Sequence, residues 1–271
     1  MIVTPIKTHK VTPKKDKDLY AILDRYLPKP RRPKESGSRQ RSSSGLKEGS
    51  VVAITSKIVA ICEGRFLKIG TVDKDELIKQ EAEYYLPPGK NGFYLTVKYG
   101  ILSASAGIDE SNGNGYYILW PKDPQKTANE VRKYLAKKFR VKKVGVIITD
   151  SKITPLRWGV TGSSVVHSGF APLNNYIGDT DIFGRKLKFT KTNIMDGLGA
   201  SAVMIIGEGK EQTPLALIED VPFVRFQQRN PTQKELRQVR ITMMEDDLYR
   251  SLLTSVKWKK GGSAKRNFYG K

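Results

Sequence analysis

The chain has 271 residues, of which 38% are hydrophobic, so it can bury a substantial core as one large domain or two interlocked ones. A formal net charge of +21, from 48 Lys and Arg against 27 Asp and Glu, would ordinarily indicate nucleic-acid binding. The single cysteine, Cys62, excludes an internal disulfide and a cysteine-based metal site, which fits a reducing cytoplasm.

The sequence contains neither a membrane span nor a secretory signal. Its longest apolar runs, Val51 to Ile54, Ile58 to Cys62 and Val144 to Ile148, are far shorter than the ~18 residues that a span requires. Met1 to Lys15 has no apolar core between a basic lead and a small-residue cleavage site. We therefore expect a cytoplasmic protein without a membrane partner.

Apolar patterns predict alternating strands and helices. In the first part of the chain we expect a strand at Ile2 to Ile6, a helix at Asp18 to Leu27, a β-branched buried strand at Ser50 to Cys62 and a helix at Lys74 to Leu86. Further on we expect a strand at Phe93 to Tyr99, a helix at Lys126 to Phe139 and a strand at Val144 to Ile148. The last run is wholly apolar, which is typical of a strand covered on both faces. The fold class is therefore mixed α and β.

More than half of the net charge lies in two segments that are poor in apolar residues. Residues 28–47 carry seven cations and one acid, and residues 257–271 carry six cations and no acid, so the two hold 12 of the 21 net charges. Such segments cannot bury enough surface to offset the entropy lost on ordering. We predict a flexible basic insertion at 28–48 inside a catalytic region at 1–259, and a disordered basic tail at 260–271.

Three polar clusters follow apolar runs. The first cluster, Ala106 to Gly115, places Asp109 and Asn112 three residues apart in a glycine-rich turn. Their oxygens suit a hard cation, and the glycines allow the backbone to approach a phosphate. An ordinary turn has the same composition, so both interpretations stay open.

The second cluster, Thr149 to Lys152, follows the apolar run that ends at Ile148. Open α/β sheets place the groups that hold Mg²⁺ on a nucleotide at the carboxyl end of a buried strand, where Asp150 lies, followed by a hydroxyl on Ser151. The alternative is that Asp150 is a helix N-cap.

The third cluster, Ile205 to Pro214, carries two glycines, Glu208 and Lys210. We expect an apolar strand to enter this turn, which suits the cradling of phosphates while Glu208 reaches a metal. A hairpin tip with charged residues between glycines is the alternative.

Familiar nucleotide and hydrolase motifs are missing from the sequence. It has no Gly-x-x-x-x-Gly-Lys-Ser/Thr, and Gly113-Asn114-Gly115 lacks the third glycine of a dinucleotide fingerprint. No serine lies in Gly-x-Ser-x-Gly, so triad hydrolysis has little support. We expect His167 to be a semi-buried residue with satisfied hydrogen bonds rather than a catalyst.

Taken together, these residues resemble the coenzyme F-420-0:γ-glutamyl ligase family, over nearly the whole chain apart from residues 28–48 and the tail after Lys259. The segments that carry the resemblance are Glu63-Gly64-Arg65, Ala106 to Asp109 with Ser111-Asn112, Gly145 to Asp150, Arg157 with Gly159 and Gly162, Asp181 to Arg185, and Gly207 to Gly209. The resemblance implies an α+β fold of two interlocked domains, a homodimer, and a GTP-dependent ligase that uses two Mg²⁺ or Mn²⁺ ions and joins L-glutamate to an acidic acceptor through an acyl phosphate.

The resemblance also implies site residues. The catalytic carboxylates match Asp109, Asp150 and Glu208, and the same three with Ser151 match the metal ligands. The nucleotide contacts match His9, Lys10, Val11, Thr12, Ser56, Lys57, Asn112, Ile206, Gly207, Gly209, Lys210, Glu211, Gln212 and Thr213. Ile61 stands where many members have a nucleotide-contacting lysine, which leaves GTP or ATP open; Lys57 lies nearby in sequence.

Tyr116 to Pro124 and Thr154 to Gly159 resemble a branch associated with proposed folate γ-glutamyl ligases, so the acceptor is either reduced folate or the coenzyme F-420 precursor. Trp120 and Trp158 are candidates for stacking on the acceptor ring, with core packing as the alternative. A different class stays open: a non-catalytic, basic nucleic-acid-binding protein on the same fold, with Phe268 and Tyr269 as stacking groups. We do not favour it, because the three carboxylates would repel phosphate unless metals were bound.

Overall fold

We describe the fold from a computed structural model, which covers residues 1–29, 45–241 and 247–263. Most of the predicted basic insertion and of the predicted basic tail, including Phe268 and Tyr269, lies outside the described residues. The strands are β1 Ile2–Ile6, β2 Ser50–Thr55, β3 Phe66–Lys68, β4 Tyr84–Leu86, β5 Leu95–Lys98, β6 Ile101–Ala104, β7 Tyr116–Ile118, β8 Val144–Ile153, β9 Val160–Ser168, β10 Leu173–Asn175, β11 Lys191–Asn193, β12 Leu215–Glu219 and β13 Lys259–Lys260. The helices are α1 Leu19–Tyr26, α2 Ser56–Cys62, α3 Lys74–Glu81, α4 Pro124–Phe139, α5 Ile194–Ile206, α6 Gln233–Gln238 and α7 Arg250–Thr254.

The largest sheet has five strands in the order β1-β12-β2-β8-β9. Its only parallel pair is β2 with β8, within the described residues, so the carboxyl ends of these two strands meet at one edge. Alternate residues of β2 and β8 face opposite sides: Val52 and Ile148 pack into the core that includes α4, whereas Ala53 and Ile147 pack into the core that includes α5. The predicted coverage of Val144 to Ile148 on both faces is therefore confirmed.

A four-stranded antiparallel sheet, β13-β4-β5-β6, and a β3-β7 ribbon complete the strands that carry the first cluster. A separate apolar cluster that includes Leu77, Ile78 and Tyr117 lies in this part of the chain. The mixed sheets and helices confirm the α+β class. The interlocking of two domains stays a prediction. No helix in the described ranges has the length and apolar content that crossing a lipid bilayer needs.

Two predicted element boundaries were wrong. The β-branched run from Ser50 to Cys62 is a strand only to Thr55 and then a helix, because tertiary packing outweighs the modest helix penalty of β-branched residues. The helix predicted for Lys74 to Leu86 ends at Glu81, and Tyr84–Leu86 is a strand that pairs with β5. Aromatic residues at this point favour the half-buried sheet position over the helix.

The apolar run before Gly207 is also not the strand that we predicted. Ile194–Ile206 is a helix, α5, which begins at the N-cap Asn193 and ends at Gly207. Glycine weakens a helix, but a side chain at Gly199 would overlap the β9 backbone at Ser163, so this glycine lets α5 pack closely on the sheet.

The two basic segments are ordered where the structure describes them at their inner ends. Leu46 is buried in the core, and Glu48 accepts hydrogen bonds from the backbone N–H groups of Lys142 and Lys143. At the other segment, Lys259–Lys260 pairs with β4, and Ser263 Oγ donates to the carbonyl of Glu81. Residues 259–263 therefore contact β4 and the end of α3.

His167 is a buried residue with an unsatisfied ring atom, which corrects the prediction of satisfied hydrogen bonds. It is 1% exposed, and its Nε2 has no hydrogen-bond partner among the described residues. Burial lowers the pKa of His167 to about 4. The folded protein therefore excludes a proton that the unfolded chain takes up at its ordinary pKa of ~6.5.

We expect this histidine to destabilise the protein in mild acid. The pKa of His167 is lower in the folded protein than in the unfolded chain, so the contribution of His167 to the free energy of unfolding is complete above pH ~6.5. This contribution is lost as the pH falls toward 4, by about 3 kcal/mol at 1.36 kcal/mol per pKa unit. Urea unfolding at pH 7, 5.5 and 4.5 should show this loss in the wild type and a smaller loss in His167→Leu. Carboxylates with lowered pKa values, such as Glu235, lose their stabilising effect in acid in both proteins. Equal pH dependence of the two proteins would therefore contradict the effect that we assign to His167.

Candidate active site

The three polar clusters meet at the edge where β2 and β8 end. Lys57, just after β2, lies with its Nζ 2.7 Å from Asp109 Oδ2 of the first cluster. Ser151 Oγ, of the second cluster, donates to Glu208 Oε1 of the third at 2.5 Å. Asn112 Nδ2 donates to the carbonyl of Gly209 at 2.9 Å, which joins the first cluster to the third. The clusters lie up to about a hundred residues apart in sequence and form one site.

The first cluster holds Asp109 in a tight turn. Ser111 donates its backbone N–H to Asp109 Oδ1 at 2.7 Å and its hydroxyl to Oδ2 at 2.9 Å. The Lys57 ammonium also donates to the carbonyl of Ser111 at 2.8 Å. Burial alone would raise the pKa of Asp109, but Lys57 and the Ser111 donors outweigh it, so this pKa lies below its ordinary value. Asp109 is therefore a carboxylate at neutral pH.

Asp150 lies inside β8 and is not a helix N-cap, which corrects that alternative. The β8–β9 register shifts between Ile148 and Thr149, and such an irregularity re-aims the residues that follow it. Trp120 Nε1 donates to Asp150 Oδ2.

The surroundings of Asp150 penalise its charge. Burial raises the pKa of Asp150 to about 6, and the charge of Asp109 acts in the same direction. The N–H groups of Trp120 and Ser151 and the ammonium of Lys57 oppose this shift. Two carboxylates gathered in such a place are stabilised by a bound cation.

The third cluster is a turn closed by its own polar groups. Gly207 ends α5 with φ +80°, a conformation that disfavours other residues. The backbone N–H of Gly209 donates to Glu211 Oε2 at 2.8 Å, and Thr213 Oγ1 donates to the carbonyl of Ile206 at 2.6 Å. These bonds leave Glu208 to project toward Ser151.

The predicted nucleotide-contacting segment His9 to Thr12 lies beside the third cluster. The backbone N–H of Thr8 donates to the carbonyl of Gln212 at 2.9 Å. Asp16 organises the segment, since its Oδ1 lies 2.6 Å from His9 Nε2 and its Oδ2 accepts from the backbone N–H of Thr12 at 2.8 Å. Ser56 is buried next to Lys57 at the start of α2. The structure thus gathers predicted nucleotide residues from four distant segments.

Ile61 is one turn beyond Lys57 on α2 and points into the core against Ile118. A lysine at position 61 would have to direct its charge out of that apolar cluster, whereas Lys57 already contacts Asp109. The two tryptophans differ in the same way: Trp120 is 3% exposed and stacks on Tyr99, whereas Trp158 is fully exposed. Trp120 is therefore core packing and cannot stack on an acceptor ring as it stands.

Some residues that carry the resemblance lie apart from the three clusters. Asp181 Oδ1 accepts from the backbone N–H groups of Phe183 and Arg185, so these residues form a turn of their own. Lys152, the last residue of the second cluster, lies with its Nζ 3.8 Å from Asp196 Oδ2 of α5 and not against the other two clusters' carboxylates. The sequence reasoning missed the indole N–H of Trp120 and the hydroxyl of Ser111 as partners of the carboxylates. No local pattern marks the first of these.

The donors at this site fit a hard divalent cation by chemistry: three carboxylates and a hydroxyl, all oxygen. In the described part of the chain, no three carboxylate, histidine or cysteine side chains are already grouped around a common point. Lys57 and Ser151 instead engage Asp109 and Glu208. Two cavities of about 350 and 380 Å³ lie elsewhere, at the start of α4 and beside β10, and neither is lined by the three carboxylates.

Comparison with known proteins identifies the family to which the chain belongs. Residues 32–220 match the sequence model of a family described as F420-0:Gamma-glutamyl ligase. The coenzyme F420:L-glutamate ligase of Methanopyrus kandleri is 35% identical over 193 residues, which are 65% of this chain and 76% of that protein. The enzyme of the same name from Methanococcus maripaludis is 38% identical over 175 residues, covering 65% and 67%, and that from Methanocaldococcus jannaschii is 31% identical over 202 residues, covering 66% and 79%.

The family match spans the chain from β2 to β12, which includes all three polar clusters. The protein is accordingly an enzyme of the ligase class. It belongs to the F420-0:gamma-glutamyl ligase family.

Proposed function

We propose that this protein is a GTP- and divalent-metal-dependent ligase that forms a γ-glutamyl amide bond between L-glutamate and an acidic small-molecule acceptor. The observation that carries the proposal is the contact of the three clusters at one sheet edge, where Lys57 engages Asp109, Ser151 engages Glu208 and Asn112 reaches Gly209. Carboxylates next to a glycine-rich turn suit phosphoryl transfer, because that reaction is catalysed mainly by positioning the reacting groups and neutralising their charge.

Asp109, Asp150, Ser151 and Glu208 would hold Mg²⁺ or Mn²⁺, which would neutralise charge on the transferring phosphoryl group. Lys57 would move from Asp109 to a phosphate oxygen when the cation takes its place, because an ammonium and a metal ion compete for the same carboxylate. The turn at Gly207 and Gly209 would present backbone N–H groups to the phosphates, as the concave backbone turns of other phosphate sites do.

The chemistry that we propose has two steps. A carboxylate oxygen of the acceptor attacks the γ-phosphorus of GTP, and GDP leaves, which gives an acyl phosphate. The glutamate amine then attacks the acyl carbon, inorganic phosphate leaves, and the nitrogen loses its extra proton. Both steps join anionic partners, which the basic residues around the site, such as Lys152 and Lys210, favour.

The acceptor is either the precursor of coenzyme F-420, the coenzyme that appears in the relatives' names, or reduced folate. Trp158 is available to stack on a flat acceptor ring because it is fully exposed, and Trp120 is not. A cytoplasmic location suits both acceptors and the lone cysteine.

To test the proposal, the purified protein is incubated with GTP or ATP, Mg²⁺ or Mn²⁺, L-glutamate and each acceptor. We expect one added glutamyl unit by mass spectrometry, formed only when nucleotide and metal are both present. No addition to either acceptor under any of these conditions would reject the proposed reaction. Addition without nucleotide would reject the acyl-phosphate route.

We also propose that the enzyme is a homodimer. Large apolar side chains are almost fully exposed on the loop between β10 and β11: Ile182, Phe183 and Phe189. Apolar surface of this extent on a monomer usually marks an interface. We expect sedimentation velocity to show a dimer, and Phe183→Asp to shift it toward monomer, whereas Leu252→Asp on α7 should not. A monomeric wild type at micromolar concentration would contradict the proposal.

A further inference from the structure

The hydrogen bond between Trp120 and Asp150 links the protein core to the candidate metal site. Trp120 follows β7, 30 residues before Asp150, and its indole N–H donates to Asp150 Oδ2. Indole has a single donor and no acceptor, so this bond has one direction. Among the partners of the three carboxylates, Trp120 is the one drawn from the buried core.

The position of the indole is fixed from several sides. Its ring stacks on that of Tyr99, with centroids 5.9 Å apart and planes 9° from parallel, and Tyr99 donates its hydroxyl to the carbonyl of Pro121. Arg65 Nε donates to the carbonyl of Trp120 at 3.2 Å. Gly107 leaves room for the indole ring, because a Cβ atom at this position would overlap the indole nitrogen. The indole N–H is therefore held rigidly.

We propose that Trp120 is a positioning residue that occupies one oxygen of Asp150, so that this carboxylate offers a single oxygen to the divalent cation. This role rests on the metal site of the proposed function and adds Trp120 to the residues that determine which cation binds there. The indole N–H engages Asp150 Oδ2, so Oδ1 is the oxygen that we assign to the metal.

The choice of cation should follow from this arrangement. Mg²⁺ takes six ligands in near-ideal octahedral geometry, whereas Ca²⁺ takes six to eight and often binds carboxylates through both oxygens. A carboxylate restricted to one oxygen favours the smaller, six-coordinate ions. Loss of a partner that orients a metal ligand typically lowers metal affinity by about 10–100-fold.

The test compares Mn²⁺ binding, counted by electron paramagnetic resonance of the free ion, in the wild type, Trp120→Phe and Trp258→Phe. Trp258→Phe is the matched control, since it removes an indole N–H that donates to the carbonyl of Leu253 rather than to a residue of the site. We expect Trp120→Phe to weaken Mn²⁺ binding by about 10-fold or more and to let Ca²⁺ compete better. Trp258→Phe should keep the wild-type affinity and the wild-type preference, even where its melting temperature falls.

A second variant covers the case in which Trp120→Phe does not fold. Incorporation of benzothienylalanine at position 120 keeps the size and shape of the ring but replaces the N–H by sulfur, so it removes only the donor. We expect the same loss of Mn²⁺ affinity. Wild-type affinity and unchanged Ca²⁺ competition in this protein would overturn the role of Trp120 while leaving the metal site intact. Failure of the wild type itself to bind Mn²⁺, with or without a non-hydrolysable GTP analogue, would overturn the metal site and the inference with it.

Discussion

Asp150→Asn should abolish metal-dependent ligation while the protein stays folded. The amide oxygen of asparagine still accepts the hydrogen bond from Trp120, and a neutral amide is easier to bury than a carboxylate. The variant loses the negative charge that attracts the cation. Since a metal supplies several kcal/mol to phosphoryl transfer and 1.4 kcal/mol is a factor of ten, we expect turnover to fall by about a thousandfold or more.

The measurement is the rate of glutamyl transfer at saturating Mg²⁺, together with a thermal melt. Asp73→Asn is the matched control, because Asp73 caps α3 away from the site and asparagine caps a helix equally well. We expect near-normal turnover in the control. Normal turnover in Asp150→Asn, at any metal concentration, would remove Asp150 from the proposed machinery.

Lys57→Met should weaken nucleotide binding. Lys57 is the cation that holds Asp109 and the carbonyl of Ser111 in the first cluster, and we propose that it transfers to a phosphate when the metal binds. A charge-assisted hydrogen bond contributes about 1.5–3 kcal/mol, so loss of the ammonium should weaken GTP affinity by about 10–100-fold. The stability of the ligand-free protein should change by less than about 1 kcal/mol, because the ion pair is partly exposed.

Lys74→Met provides the comparison for this variant. Lys74 pairs with Glu110, one residue along the same turn, and its ammonium is at least as exposed as that of Lys57. Each substitution removes one positive charge that contacts the first cluster, so both variants change the long-range electrostatic potential at the site in a similar way. Titration calorimetry with a non-hydrolysable GTP analogue should separate them. Equal affinities in the two variants would show that Lys57 does not contact the nucleotide.

The elements predicted correctly have clear periodicity. The helix at Lys126 to Phe139 was predicted because its apolar residues recur at helical spacing, and it extends only two residues further at its start. The strand at Val144 to Ile148 was recognised from its apolar run, but its continuation to Ile153 was missed. That continuation is polar, and it is a strand because β9 pairs with it. Helices α2 and α5 were misread because β-branched and glycine residues obscure the helical pattern.

Local composition and family resemblance selected Asp109, Asp150 and Glu208, although each alone had an equally simple explanation as a turn or a cap. The contact between the clusters that carry them depends on the parallel pairing of β2 with β8, which brings two strand ends to one edge, and on α5, which packs on the same sheet and ends at the third cluster. Neither arrangement has a short-range sequence signal, because the pairing of distant strands depends on the packing of the whole core.

The sequence by itself determined the chemical character of this protein: oxygen-bearing side chains next to glycines, a lone cysteine, and an excess of positive charge for anionic partners. Only the tertiary structure decided which groups touch, namely that Lys57 holds Asp109, that Ser151 meets Glu208 and that Trp120 reaches Asp150 from the core. The physical reason is that residue type sets what an atom can bind, whereas its partner is set by close packing between segments that lie far apart along the chain.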